Sequence, residues 1–373
     1  MKVDLFDYYL PKELIAQTPA EPRDSSKLLV YNRLSGAIQH HIFHELDQLL
    51  TEQDVLVLNQ TQVEPRRLFG HKHPSGGKVE VLLLDKISDD HCLSNRVQCS
   101  ELNAQGCLWE CKVHPGLHAG QRLIFTQQDA SIALKTALEA VVIAATDEGN
   151  RLVQFNQKVE DVWQVYGILP IPPYITDYHG DAALYQTIYA HDPGSVAAPT
   201  AGRHFTQELL NRIKDKGVQI EHLTLHVSRD TAFPIVKQEA VEDVHLHSEW
   251  VDLPPDVANR LNVAKNTGKR IIAVGTTSVR TLEGIATQHA LEAGHASSSG
   301  AVHGYRGPVN LYIYPGYFFK FIDAMITNFH FPRSTLLMLV SAFTGREKML
   351  QVYQKAVEQE YRFFSFGDAM FIQ

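Results

Sequence analysis

From residue 206 onward, the chain alternates between helical spacing of apolar positions and the short unbroken runs typical of buried strands. Thr206 reads as the N-cap of a helix over 207–216, with Leu209, Leu210 and Ile213 on one face and Gly217 as its stop. A strand ending at 223–227 follows. A helix is predicted over 256–267, closed by Gly268, and then a buried strand, RIIAVG, over 270–275. TTSVRTLEGIATQHAL (276–291) reads as a helix and NLYIYPG (310–316) as a strand. TLLMLVSAF (335–343), capped by Ser334, leads into a helix over 346–361, and FFSFGDAMFI (363–372) reads as a final strand. Strands alternating with helices predict an α/β core.

The pattern changes between residues 66 and 156. RRLFGHK, KVEVLLLDKI, CLWECKV, QRLIFT, LKTALEAVVIAAT and RLVQFN are six β-like runs separated by turns, with little helical periodicity. They predict a small antiparallel six-stranded β-barrel inserted into the α/β chain. The expected division is a discontinuous α/β domain, 1–63 with 160–373, and a barrel domain, 64–159. The small-residue stretch 292–304 is expected to be a surface loop.

Bulk properties narrow the function classes. The chain has 373 residues, 44% of them hydrophobic, with a formal net charge of −8, so a nucleic-acid partner would need a local basic patch. The N-terminal segment carries Asp4, Asp7 and Glu13 and no apolar run, unlike a secretory signal. No apolar stretch is long enough to span a bilayer. A cytoplasmic, monomeric protein without a membrane partner is expected. The 4 cysteines, Cys92, Cys99, Cys107 and Cys111, raise a zinc reading. Cys107 and Cys111 fall in one strand-like run, where four residues cover roughly 13 Å, too far for two ligands of one tetrahedral ion. Free thiols and no metal are expected.

Three stretches carry candidate chemistry. In RIIAVGTTSVRTLEG a buried strand runs through Gly275 into a helix opened by Thr276 and Thr277, with Arg280 one turn on. Free N–H groups there make an anion site at the carboxyl end of a strand, where α/β proteins bind ligands; a well-capped helix is the plainer alternative. GSVAAPTAGRHFT (194–206) combines small side chains, among them Thr200 and Gly202, with Arg203 and His204. It is either a close-approach loop for a ligand or a tight crossover. In ITNFHFPRST (326–335), Asn328 and His330 stand in a loop before a helix, facing a cleft or satisfying backbone. His226, His245, His247 and Glu249 lack helical metal spacing, so acid–base work or hydrogen bonding is expected of them. Arg66, Arg67, His71, Lys72, His73 and Lys78 form a local basic run with one acid, Glu80: a phosphate-facing surface or a solvated face.

The order of motifs adds a resemblance. DYYLPKELIAQTPAEPRDSSKLLV, ILPIPPYI, LYQTIYA, PGSVAAPTAG, AVGTTSVRTLE, YIYPG, ITNFHFPRSTLLMLVSAF and YRFFSFGDAMFI follow one another as in the S-adenosylmethionine:tRNA ribosyltransferase-isomerase family of queuosine biosynthesis, which the chain closely resembles along nearly its whole length. The resemblance implies an α/β domain with an inserted β-barrel. It also implies transfer and isomerisation of the ribosyl group of S-adenosylmethionine onto 7-aminomethyl-7-deazaguanine at the tRNA wobble position, giving epoxyqueuosine, adenine and methionine. The donor would then be a consumed substrate, with no separate cofactor.

That reaction needs a base for the ribose 5′ proton, donors for departing adenine and an anion site for the methionine carboxylate. His204, His226 and His330 are the acid–base candidates, and Asn328 a group for adenine or a ribose hydroxyl. Thr200, Gly202, Gly275, Thr276, Thr277 and Arg280 are the donor-binding candidates, with the Thr276–Thr277 helix start and Arg280 as the carboxylate clamp, and Arg66, Arg67, Lys72 and Lys78 are the tRNA contacts. The chain departs from the family pattern at Gln62 (a basic residue), Arg203 (Leu), Ser228 and Asp230 (glycines), Ala232 (an aromatic), Val244 (His) and Val309 (Thr). These departures leave two alternatives: a divergent paralogue that uses the same donor on another acceptor, or a tRNA-binding protein with impaired catalysis.

Overall fold

The computed structural model describes the chain except for residues 88–106, 130, 133, 135, 148, 177, 179, 228–235 and 293–299. Two compact units result: Met1–Val63 with Ile171–Gln373, and Glu64–Pro170.

The first unit is built on a mixed nine-stranded sheet. Its strands are β1 (Lys27–Tyr31), β2 (Ile38–Ile42), β3 (Asp54–Asn59), β13 (Gln219–Leu225), β14 (Glu249–Leu253), β15 (Arg270–Val274), β16 (Tyr305–Val309), β17 (Ala324–Asn328) and β18 (Ala369–Ile372). They lie in the order β16-β14-β13-β3-β15-β17-β18-β1-β2. The central four, β13, β3, β15 and β17, run parallel. A parallel strand covered on both faces needs a continuous apolar run, and β3 and β15 supply one. Val55, Val57, Ile271 and Ala273 point to one side; Leu56, Leu58, Ile272 and Val274 point to the other.

The helices Pro255–Asn266, Thr276–Glu292, Thr335–Thr344 and Arg346–Glu358 bury apolar faces in the first of these cores, and Gln207–Asp215 buries Leu209, Leu210 and Ile213 in the second. Each fully buried aliphatic side chain contributes about 1.5–3 kcal/mol relative to exposure. The anticipated caps are present: Leu209 N–H donates to Thr206 Oγ1 at 3.2 Å, and Leu337 N–H to Ser334 Oγ at 3.1 Å. A short parallel pair, β4 (Thr61–Val63) with β12 (Asp192–Ser195), stands beside the sheet.

Two expected strands are displaced. Residues 310–316 form no strand; Leu311, Tyr312, Ile313 and Tyr314 all pack into or against the core, so a short apolar run imitates a buried strand. The strand is β16 just upstream, whose Gly307 and Pro308 disguise it. Pro308 is tolerated because β16 is an edge strand. Residues 363–368 make a turn in which Phe364 has φ 72°, so the last strand is only β18.

The second unit is a closed six-stranded antiparallel barrel. Its strands β5 (Arg67–His73), β6 (Lys78–Lys86), β7 (Leu108–His114), β8 (Arg122–Phe125), β9 (Glu139–Ala145) and β10 (Arg151–Phe155) match the six runs seen in the sequence. The order is β5-β6-β7-β10-β9-β8, closed by β8 against β5. Alternate residues such as Leu68, Val81, Leu83, Leu123, Val142 and Val153 fill its interior. Residues 160–170, which the sequence reading grouped with the α/β part, belong to this unit: β11 (Gly167–Ile168) pairs with β5. Cys107, just before β7, and Cys111, within it, are buried and form no disulfide among the described residues; Cys92 and Cys99 lie outside the described residues.

Candidate active site

A cavity enclosing about 720 Å³, mouth included, opens in the α/β unit where β13, β15 and β17 end. Crevices at the carboxyl ends of parallel strands are where α/β folds collect ligands. Three segments form much of its wall: 197–201, 275–277 and 327–331.

Gly275 turns the chain from β15 into the 17-residue helix Thr276–Glu292 at φ 86°, a conformation that favours glycine. Gly275 N–H donates to Ile326 O at 2.7 Å, tying the turn to β17, and Gly275 O accepts the first helical bond, from Val279. Thr276 and Thr277 therefore present the helix start, with its positive dipole end, to the cavity. Thr277 Oγ1 is buried there and has no hydrogen-bond partner among the described residues.

Asn328, at the end of β17, has the best-defined orientation. Its amide nitrogen donates to Asp368 O at 3.2 Å and meets His204 Nε2 at 3.1 Å. A carbonyl only accepts, so the NH2 group must face Asp368 and His204. His204 Nε2 is then the acceptor, its Nδ1 carries the proton, and that proton is donated to Ser26 Oγ at 2.7 Å. The Asn328 Oδ1 left over is buried on the cavity wall and has no partner among the described residues. His204 is stacked on Phe43. Burial, with Arg203 and Arg362 nearby, pushes its pKa down to about 3. His204 does not line the cavity; it is a neutral positioning group, which corrects its assignment as an acid–base catalyst.

His330 does line the cavity. Its Nε2 meets Thr327 Oγ1 at 3.0 Å, and Tyr353 OH holds its backbone N–H at 2.9 Å. Burial lowers its pKa to about 3, so it is neutral. His226 lies off the cavity, with Nδ1 2.8 Å from Thr61 Oγ1. Arg280 is also absent from the wall. It is buried in an ion pair with Glu249 and donates to Leu311 O, so its charge is already matched and the carboxylate-clamp assignment fails.

The 194–206 stretch divides in two. Residues 197–201, Thr200 among them, line the cavity. Gly202 does not: a Cβ there would fall 1.9 Å from Tyr189 OH, so its glycine serves packing. Beyond it, Arg203 and His204 turn into the protein. The sequence reading also missed an aromatic wall. Tyr174, Phe331 and Phe364 line the cavity, with the rings of Phe331 and Phe364 stacked. A positive φ at a phenylalanine is costly and clusters at functional sites, yet it leaves no mark in sequence.

A family model described as queuosine biosynthesis protein matches residues 3–372. The chain belongs to this family. The S-adenosylmethionine:tRNA ribosyltransferase-isomerase of Desulfitobacterium hafniense is 46% identical over 376 aligned residues, covering all of both chains. The crystal structure of an S-adenosylmethionine tRNA ribosyltransferase from Thermotoga maritima is 34% identical, covers 99% of this chain and 100% of that one, and superposes with a TM-score of 0.52.

Within this queuosine-family chain, the basic run of the barrel is only partly available for nucleic acid. Arg66 is buried, paired with Glu64 at 2.8 Å and donating to Leu84 O. Arg67 pairs with Glu80 at 3.0 Å. Lys72 and Lys78, flanking the β5–β6 turn, have no ion pair among the described residues. Among the departures, Gln62 is exposed on β4, whereas Val244 and Val309 are buried apolar contacts. Ser228, Asp230 and Ala232 lie outside the described residues.

Proposed function

We propose that this chain transfers and isomerises the ribosyl group of S-adenosylmethionine onto 7-aminomethyl-7-deazaguanine in tRNA, releasing adenine and methionine. The observation that carries this reading is the cavity at the ends of β13, β15 and β17, in a chain of the queuosine family. Its groups complement the donor. The helix start at Thr276 and Thr277 takes the methionine carboxylate. Phe331, Phe364 and Tyr174 give the adenine a stacking face. Asn328 Oδ1, fixed by His204, accepts from the adenine amine or a ribose hydroxyl, and Thr277 Oγ1 supplies a further polar contact. Either orphan would cost about 1–3 kcal/mol if left unpaired, so both favour a polar ligand.

His330 is the proton-handling imidazole of the wall. Its low pKa in the empty site does not disqualify it as a base. Taking the 5′ proton from the carbon next to the sulfonium moves a positive charge from donor to imidazole without adding one to the cavity. The burial penalty that depresses His330 is then already present when the donor is bound. The donor is consumed as a substrate. Lys72 and Lys78 contribute phosphate contacts from the barrel. The test is nucleoside mass spectrometry of tRNA carrying the aminomethyl base after incubation with protein and S-adenosylmethionine. The expected product is the base extended by an epoxide-bearing cyclopentyl ring. An unaltered base under conditions where donor and tRNA both bind would refute the reading.

A further inference from the structure

Beside the donor cavity, the α/β unit holds a second, smaller cleft of about 190 Å³, mouth included, lined by Ala20, Arg23, Arg203, His204, Phe366 and Gly367. Its floor is Arg203, 4% exposed in a chain of net charge −8. The guanidinium lies 4.5 Å from the Phe366 ring centre and donates through Nε to Leu184 O and through Nη1 to Ser365 O. Arg23 stands at the rim, half-buried, donating to Gln186 O and Ala183 O. Among the described residues neither guanidinium forms an ion pair with a carboxylate. The nearby acids are bonded elsewhere: Asp24 accepts from Thr206, Asp181 caps the turn at Ala183 while its charge also acts on Arg23, and Asp368 holds the N–H groups of Lys27 and Arg362.

A buried charge is normally matched by an opposite charge, and here two like charges share one cleft instead. Their repulsion, added to burial, lowers the pKa of Arg203 to about 10. Backbone carbonyls fix both side chains in place, which preorganises them for a ligand that brings the missing negative charge. The cleft adjoins the donor cavity: Ser365, whose carbonyl Arg203 holds, lines that cavity, and so does Asn328, which His204 orients from the cleft side.

We propose that Arg23 and Arg203 bind a backbone phosphate of the substrate RNA, next to the nucleotide whose base enters the donor cavity. One non-bridging oxygen reaches Arg203 in the cleft and another meets Arg23 at the rim. The small cleft admits a phosphate oxygen and excludes a base. This inference rests on the reading of tRNA as substrate, and the two can fail separately.

The experiment measures binding of tRNA carrying 7-aminomethyl-7-deazaguanine at several salt concentrations, for the wild type, R203L and R23Q. Each variant should bind about tenfold more weakly with a smaller slope of log affinity against log salt, and R23Q combined with R203L should lose about 0.7 of that slope, the share of one phosphate of a single strand. Donor affinity should stay unchanged in R23Q, whose hydrogen bonds go to residues off the donor cavity. R23Q removes only the rim group, so it remains informative if R203L folds poorly. Wild-type affinity and slope in a folded R23Q and R203L would overturn the proposal. A second arm compares melting in inorganic phosphate and in chloride at matched ionic strength. Phosphate should stabilise the wild type more than either variant, since its general effect on burial is common to all three, and an equal gain in all three would also count against the site. If the wild type binds no tRNA yet gains stability from phosphate, the tRNA reading fails and the anion site stands.

Discussion

Replacing His204 separates positioning from proton transfer. His204→Phe keeps the ring stacked on Phe43 but removes two hydrogen bonds, to Ser26 Oγ at 2.7 Å and from Asn328 at 3.1 Å. Asn328 then keeps only its 3.2 Å bond to Asp368 O, and its amide can rotate. Losing the orientation of Oδ1 forfeits about one hydrogen bond to the ligand, 0.5–1.5 kcal/mol, or roughly three- to tenfold in kcat/KM. Stability should fall by about 1–3 kcal/mol because Ser26 Oγ loses its buried partner. His204→Gln puts an acceptor near the position of Nε2 and should recover most of the lost turnover. The assay is adenine release from S-adenosylmethionine with modified tRNA, for both variants, across pH 6–9. Neither variant should change the pH profile, because His204 is neutral throughout that range. A thousandfold loss in both, with no rescue by glutamine, would refute the positioning role and restore His204 as an acid–base group.

Three further predictions follow from buried groups. Burial holds His204 and His330 near pKa 3 against an ordinary value near 6.5. Below pH 6.5 the unfolded chain takes up protons that the folded chain refuses, so stability is full above that pH and lost as pH falls toward 3. The loss is about 2 kcal/mol per ring at pH 5. Chemical denaturation at pH 7 and pH 5 should show a difference of about 4 kcal/mol from this pair, and equal stability would contradict neutral burial. Thr277→Val removes an orphaned hydroxyl from the cavity wall. It should weaken donor binding by about three- to tenfold in calorimetry while leaving the melting temperature the same or higher; unchanged affinity would remove Thr277 from the donor site. Glu249→Gln strips the charge partner from buried Arg280 and should cost about 3–5 kcal/mol of stability with donor affinity intact. A fall in affinity equal to that of Thr277→Val would revive Arg280 as a carboxylate clamp.

Periodicity was most informative where burial on both faces forces apolar runs, as in β3 and β15, and where alternation reports one buried face, as in the barrel. It misled at 310–316, where Leu311, Tyr312, Ile313 and Tyr314 form an apolar run because they pack on the core and not because they lie in a sheet. The site was legible where backbone geometry dictates residue type. Gly275 and the threonines after it mark a strand-to-helix turn, and both threonines line the cavity. Long-range pairing was not legible. Nothing near Arg280 in sequence announces Glu249, and nothing near Arg66 fixes its buried bond to Leu84 O. The same holds for His204, whose residue type suggests catalysis although contacts with Ser26 and Asn328 make it a scaffold for another side chain. Phe364 was invisible for a different reason: its strained backbone is imposed by the packed turn around it.

The central claim is that this cavity commits S-adenosylmethionine to ribosyl transfer onto the modified tRNA base. Single-turnover release of adenine, with and without tRNA carrying 7-aminomethyl-7-deazaguanine, tests it most directly. Release that requires the modified tRNA, and that weakens in the Thr277→Val protein, is the predicted result. No release from a protein that binds both donor and tRNA would contradict it.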